Sequence, residues 1–435
     1  MMTDVDAPRV PSATRAWWLI AVLFITAIVS YSNRLVLGVL VDPLRTTFGV
    51  SDSAISLLQG PAFTVIYVLA SLPLGRLADR INRKRLITAG ATTWAIGATL
   101  CAWAPNFNLL LAARILVGVS EATLIPTAVS MIADSFQSHR RGTAFGVFAM
   151  ATVVGGPLGI SAGGILLDQA NSGLFSSWPL IGALPPWRTV LVMFGLVGLI
   201  APLLLLTVKE PARIVATDSA PGSVRDFIKE NGRSLLPLYL GCGLLAIGDY
   251  GLVSWAPSVL IRRFEWRPDA VGVAFGFITA LAGILGAFSG GTLSDLAERR
   301  MGLAGRFRVS FGAALLGGCA AVAISGGSAN WVLTGVGAWV LVSTVGGIGG
   351  LVGIQSAVPN QFRGTAASVL TFCNTLFGYG GGPTLVALVT EHGFASPQAV
   401  GYGISVVVAP AALLAGILFY GSSRAALKSP PRVLV

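Results

Sequence analysis

Charge is scarce in this chain. Only 11% of its 435 residues are Asp, Glu, Lys or Arg, where soluble domains carry about 25%. A water-soluble chain of this length needs charge to cover its surface, so long apolar runs become the first thing to look for. Histidine is scarcer still. The two, His139 and His392, lie far apart in loops. No zinc pattern and no Ser-His-Asp pattern is visible, so no metal and no cofactor is expected. The four cysteines, Cys101, Cys242, Cys319 and Cys373, lie in or beside apolar runs without close spacing. They read as small packing residues and not as a disulfide frame.

What is abundant is apolar and small: 54% of the residues are hydrophobic and 54 are glycine. Small residues let membrane helices approach closely. A bilayer core needs about 20 apolar residues per helix. Twelve such runs are present, at roughly 17–40, 54–74, 86–104, 108–132, 143–167, 189–208, 235–261, 270–291, 309–326, 331–358, 365–389 and 399–420. Backbone in lipid must satisfy its own hydrogen bonds, so each run is expected to be a helix. The first run is too long for a signal-peptide core and has no small-residue cleavage site, which reads as an uncleaved first span. Trp17, Trp18 and Trp187 sit at span ends as expected interfacial anchors.

The net charge of +11 comes from short loops and not from a solvent-exposed basic face, so no nucleic-acid partner is expected. With the N-terminus placed in the cytoplasm, 22 Lys and Arg fall on that side and 5 on the other, while Arg34 and Arg114 lie inside spans. That asymmetry orients both termini inward, in an inner, multi-pass cell-membrane protein. The expected order is a tail at 1–16, six helices over 17–208, a polar cytoplasmic link at 209–234, six helices over 235–420 and a tail at 421–435.

The two halves repeat. Gly75-Arg-Leu-Ala-Asp79 follows span 2, and Gly291-Thr-Leu-Ser-Asp295 follows span 8. Arg141-Gly-Thr-Ala144 opens span 5, and Arg363-Gly-Thr-Ala366 opens span 11. Gly156-Pro157 and Gly382-Pro383 recur within those two spans. Three matches in the same order point to duplication. The predicted fold is therefore an all-α membrane protein with twelve transmembrane helices in two pseudo-symmetric six-helix bundles.

The stretch Gly75-Arg-Leu-Ala-Asp-Arg-Ile-Asn-Arg-Lys84 resembles the loop between spans 2 and 3 of the major facilitator superfamily. Only the second Gly of that pattern departs, here Asn82, which also tolerates a left-handed backbone. A narrower resemblance is to the spinster-like branch. It rests on residues 79–84, on Gly118-Val-Ser-Glu-Ala122, on Met131-Ile-Ala-Asp-Ser-Phe136 and on Trp187-Arg188. The organic-anion symporter branch shares several of these features. The resemblance implies an alternating-access carrier of a small-molecule or lipid-like substrate, such as a lysolipid or another amphipathic solute. Protons are a coupling partner for some bacterial members. In the usual Asp-Arg pair of span 1 the Asp is replaced by Asn33, beside Arg34, so one titrating group is missing.

Four Asp, Glu, Lys or Arg residues fall within the predicted spans: Arg34, Arg114, Glu121 and Asp249. Each costs at least about 2.5–3.5 kcal/mol at mid-bilayer, so each is expected to face a cavity or a partner. Arg34 and Arg114 suit a carboxylate or phosphate. Glu121, seven residues after Arg114, would balance one charge and take up a proton. The alternative is a structural ion pair between spans 1 and 4. Asp249 is a second coupling candidate or a locally hydrogen-bonded carboxyl. Tyr31, Tyr67, Trp255, Phe275 and Tyr379 are candidate cavity aromatics, with packing as the alternative for each. In the loop, Gly75 is expected to permit close helix approach. Asp79, with Arg80, Arg83 and the copies Gly291 and Asp295, is expected to gate by contacting the start of span 11. Pro126, Pro157 and Pro383 are expected to kink their spans.

A membrane-embedded enzyme needs a reactive cluster at an interface, and neither histidine lies near one. A channel or receptor would lack inward and outward states. The carrier reading, including an uncoupled uniporter or exchanger, is expected to act as a monomer.

Overall fold

A computed structural model describes residues 12–213, 224–358 and 362–428. The outermost tails, part of the central link and the Asn360 region lie outside it. The side chains of Leu72, Asp79, Ser138, His139, 224–234, Arg363, Gly364 and Lys428 are also outside the description.

Almost everything described is helical. Eleven helices are long and apolar enough to cross a membrane: Ala13–Val39, Asp52–Ser71, Arg83–Trp103, Phe107–Ser135, Arg140–Asn171, Pro186–Thr207, Leu235–Phe264, Pro268–Met301, Leu303–Ala323, Ala329–Ala357 and Pro397–Leu427. The remaining run, residues 363–393, is also helical, but π turns at Asn374–Gly381 and Val389–Gly393 interrupt it. These are spans 1–10, 12 and 11 of the sequence reading. Large apolar side chains point outward along them, among them Leu69, Leu203, Phe277, Phe288 and Ile417. In water such a surface would associate; in acyl chains it is the stable one.

Polar caps start the spans. Ser51 Oγ accepts from Ala54 N at 3.2 Å, Asn106 Oδ1 from Leu109 N at 3.0 Å and Asn82 Oδ1 from Arg85 N at 2.8 Å. Each satisfies one of the free amides of a helix start. Asn82 makes no use of the left-handed backbone that Asn tolerates: its φ is −65°, and it serves as an N-cap.

Span 4 breaks at Ala122–Thr123 into Phe107–Glu121 and Leu124–Ser135. The cause lies four residues on, at Pro126, whose ring excludes the carbonyl at position 122 and which offers no amide to it. Pro383 stands in the same relation to Tyr379, inside the first π stretch of span 11. Pro157 lies within one continuous helix, Ser138–Asn171. The helix of span 7 begins at Val224, inside the stretch read as a link.

Contacts among the described residues group the chain into two units. One comprises Met1–Val36, Val65–Gly159 and Gln169–Ser219; the other comprises Leu37–Thr64, Ile160–Asp168 and Ala220–Val435. In the first unit, a Cβ at Gly155 would lie 2.9 Å from Ile28 O and from Tyr31 Cβ. Only glycine there lets span 5 close on span 1. In the second, Leu37–Thr64 packs with spans 7 and 11, where Trp255 Nε1 donates to Pro383 O at 2.9 Å. Trp255 and Phe275 have no exposed surface, so both are packing residues and not cavity-lining ones. Trp187 is also a correction: it is 2% exposed, against 38% and 46% for Trp17 and Trp18. Its ring turns inward beneath Arg188.

Candidate functional site

In the first unit the sequence puts Asn33 and Arg34 in the last turns of span 1's α-helix, Ala13–Leu35. Glu121 ends the first piece of span 4. The structure brings Arg34 and Glu121 together. Arg34 Nε donates to Glu121 Oε2 at 3.1 Å, and Nη2 donates to the same oxygen. The guanidinium lies 4.9 Å from the Tyr31 ring centre and 5.6 Å from that of Tyr67. Both Tyr rings therefore offer a negative face to the cation. Asn33 is buried, and its Nδ2 finds no partner among the described residues. Arg114 is buried two turns before Glu121 on the same helix. The break at Ala122 follows Glu121 directly, so the carboxylate sits where the helix is locally opened.

The second unit holds the other candidates. Asp249 Oδ1 accepts from Trp339 Nε1 at 3.0 Å, across spans 7 and 10. Tyr379 stacks on Tyr250 with ring centres 3.6 Å apart, and Phe63 lies 6.1 Å away. Sequence reasoning passed over Gln59, which is buried with neither amide atom hydrogen-bonded among the described residues. It carries no formal charge, so a search for charged residues in apolar runs misses it.

The same unit carries a charged cluster that periodicity could not assemble. Arg262 reaches Asp42 at 2.7 Å, Asp52 at 2.7 and 2.9 Å and Pro397 O at 3.3 Å. Arg45 stands 3.5 Å from Asp52. Ser53 N donates to Glu391 at 3.1 Å. Arg267 donates to Asp168 at 2.6 Å, which holds its guanidinium above the ordinary value despite exposure. Residues 42–53 and 168 come from the first half of the sequence, and 262–267 and 391 from the second. The signal was present in the sequence as arginines and aspartates at span ends, but nothing there pairs them.

The signature loop is docked within the first unit. Arg83 Nε donates to Glu210 at 2.9 Å, Nη1 to Ser130 Oγ at 2.9 Å and also to Asp134, and Nη2 to Pro211 O at 2.7 Å. Lys84 N donates to Glu210 at 2.7 Å. A carboxylate at this helix start is electrostatically favoured. Arg213 Nη2 caps the loop through Ala78 O at 2.8 Å. In the second unit Arg306 faces Asp295 at 3.3 Å, Ser294 Oγ at 3.3 Å and Glu298. Arg83 thus clamps spans 3 and 4 to the segment after span 6. Gly75 and Gly291 do not mark close approaches: a Cβ at either meets nothing within 4 Å among the described residues. Arg80 is exposed, and the contacts expected of Asp79 fall outside the description. No group of three His, Cys, Asp or Glu among the described residues is placed to hold a metal.

The family model of the Major Facilitator Superfamily matches residues 22–383. An MFS-type efflux pump of Mycolicibacterium smegmatis is 26% identical over 433 residues, covering 97% of this chain and 95% of that one. Protein spinster of Drosophila melanogaster is 26% identical over 88% of this chain, which spans 63% of that protein's length. A solved structure of a bacterial homolog to the human lysosomal transporter Spinster, inward-facing and occupied, superposes with a TM-score of 0.78. Identity to it is 25%, over 97% of this chain and 100% of that one.

Proposed function

This chain belongs to the Major Facilitator Superfamily, with spinster-like relatives, and on that premise we propose that it is an alternating-access carrier for an amphipathic organic anion. One observation carries the reading: Arg34, held inside a membrane span by Glu121 and faced by Tyr31 and Tyr67. A guanidinium fork matches carboxylate or phosphate, and aromatic rings accept an acyl or ring body. A substrate anion would compete with Glu121 for Arg34. The Arg262 cluster would have to open for the face that holds it to admit solute. The Lys and Arg asymmetry supports a cell-membrane protein with both termini in the cytoplasm. The likeness to an efflux pump over nearly the whole chain favours export.

Proton coupling is the second part of the reading. Asn33 cannot titrate, so Glu121 is the group through which a proton would act in the first unit and Asp249 the one in the second. Without such coupling the protein is a uniporter or exchanger.

The test begins with thermal unfolding of the purified protein in the presence of oleoyl-lysophosphatidylglycerol, oleate and a lipophilic cation of similar size. The reading expects the two anions to raise the midpoint of wild type and to leave Arg34→Gln unmoved. Equal stabilisation by the cation, or of Arg34→Gln, would refute it.

A further inference from the structure

A small cavity lies in the first unit between spans 1, 3 and 4, with Glu121 in its wall. Its volume is about 10 Å³, room for one water molecule. Most hydroxyls of its wall are already used. Thr26 Oγ1 donates to Val22 O at 2.8 Å, Ser120 Oγ to Leu116 O at 2.9 Å and Thr123 Oγ1 to Ser120 O at 2.8 Å. Three of the lining residues each carry a buried polar atom, Ser30 Oγ, Trp94 Nε1 and Glu121 Oε1, that has no hydrogen-bond partner among the described residues. Their residues are 1%, 2% and 4% exposed.

Three orphaned polar atoms belong to residues that line this one cavity. A buried polar group left unsatisfied forfeits its hydration without compensation, so a shared partner is strongly favoured. The chemistry of the three selects it. An indole N–H only donates, an ionised carboxylate oxygen only accepts, and a serine hydroxyl does either. The occupant must accept from Trp94 and donate to Glu121. A bare cation cannot accept, and an anion would meet the Glu121 carboxylate. Water meets every requirement and fits the volume, with three hydrogen bonds, the usual number for a buried one.

We infer that this cavity is a built hydration site, in which one internal water accepts from Trp94 Nε1, donates to Glu121 Oε1 and shares a hydrogen with Ser30 Oγ. Glu121 then has a partner on each oxygen: Arg34 on Oε2 and the water on Oε1. Ser30 and Trp94 act as positioning residues for the carboxylate through that water. When an anion draws Arg34 away, Glu121 keeps a hydrogen-bonded partner in a low-dielectric span. That last consequence rests on the proposed function, and the occupancy itself does not.

The experiment is an indole 15N–1H spectrum of the full chain in lipid nanodiscs, with Trp94→Phe identifying the Trp94 signal. The expected result is a cross-peak between the Trp94 indole proton and water. In Ser30→Val, whose extra methyl fills the cavity, the Trp94 signal should persist, showing a folded protein, while the water cross-peak is lost. A wild-type Trp94 signal without a water cross-peak overturns the site, as does a cross-peak unchanged by Ser30→Val. A Trp94 signal that moves with sodium in place of a water cross-peak also overturns it, in favour of a cation. A water cross-peak found together with anion stabilisation that ignores Arg34→Gln would uphold the water and refute the transport reading.

Discussion

Arg34 holds one oxygen of Glu121 with two of its nitrogens and leaves the other oxygen to a different neighbourhood. An ion pair made this way ties span 1 to span 4. Removing either partner leaves an uncompensated charge in a buried place, which costs about 3–5 kcal/mol. Arg34→Met and Glu121→Gln should each lower the unfolding midpoint in detergent well below that of the double variant. Single and double variants that unfold alike would show that the pair contributes no stability of its own.

The Arg262 cluster makes a second expectation. Arg262 bridges Asp42 and Asp52, with Arg45 beside Asp52 as the second cation. Arg262→Gln should let that face part more often. Ser56 is fully buried there, so Ser56→Cys should react slowly with a membrane-impermeant maleimide, and several-fold faster when Arg262→Gln is added. An unchanged labelling rate would remove the cluster from any gating role.

Asn82 gives a small but sharp prediction. Since it acts as an N-cap, Asn82→Ala should cost about 1 kcal/mol and Asn82→Gly only a few tenths. Chemical unfolding in mixed micelles reads the difference. A larger loss for Gly than for Ala would mean that the loop needs something other than a cap.

Coupling is addressed by Asn33, buried beside Arg34. In liposomes with and without an imposed pH gradient, Asn33→Asp should gain or strengthen gradient-driven uptake of the anion. Glu121→Gln should lose whatever gradient dependence wild type has. Accumulation that survives Glu121→Gln would assign coupling elsewhere, with Asp249 the next candidate.

Much of the fold was legible because a bilayer reduces it to run length. Apolar stretches of about 20 residues locate spans, and Lys and Arg orient them. The Arg34–Glu121 pair was legible for the same reason: charges in apolar runs stand out. The break in span 4 was half legible, since Pro126 announces a kink but its effect falls four residues earlier, at Ala122. Trp255 and Trp187 misled, because a large aromatic near a span end or a polar residue carries no sign of which way its ring faces. Arg262 with Asp42 and Asp52 was not legible: partners 210 and 220 residues apart are joined only by the packing of helices. Ser30, Trp94 and Gln59 were missed because neutral polar residues are common in spans, and only burial without a partner distinguishes them.

The central claim is that Arg34 receives the anion, and counterflow measures it directly. Proteoliposomes loaded with unlabelled oleoyl-lysophosphatidylglycerol are offered the labelled form outside, with wild type, Arg34→Lys and Arg34→Gln at matched folded amounts. The account predicts transient accumulation in wild type, reduced accumulation in Arg34→Lys, where the charge remains and the fork is lost, and none in Arg34→Gln. Counterflow in Arg34→Gln equal to wild type would contradict it.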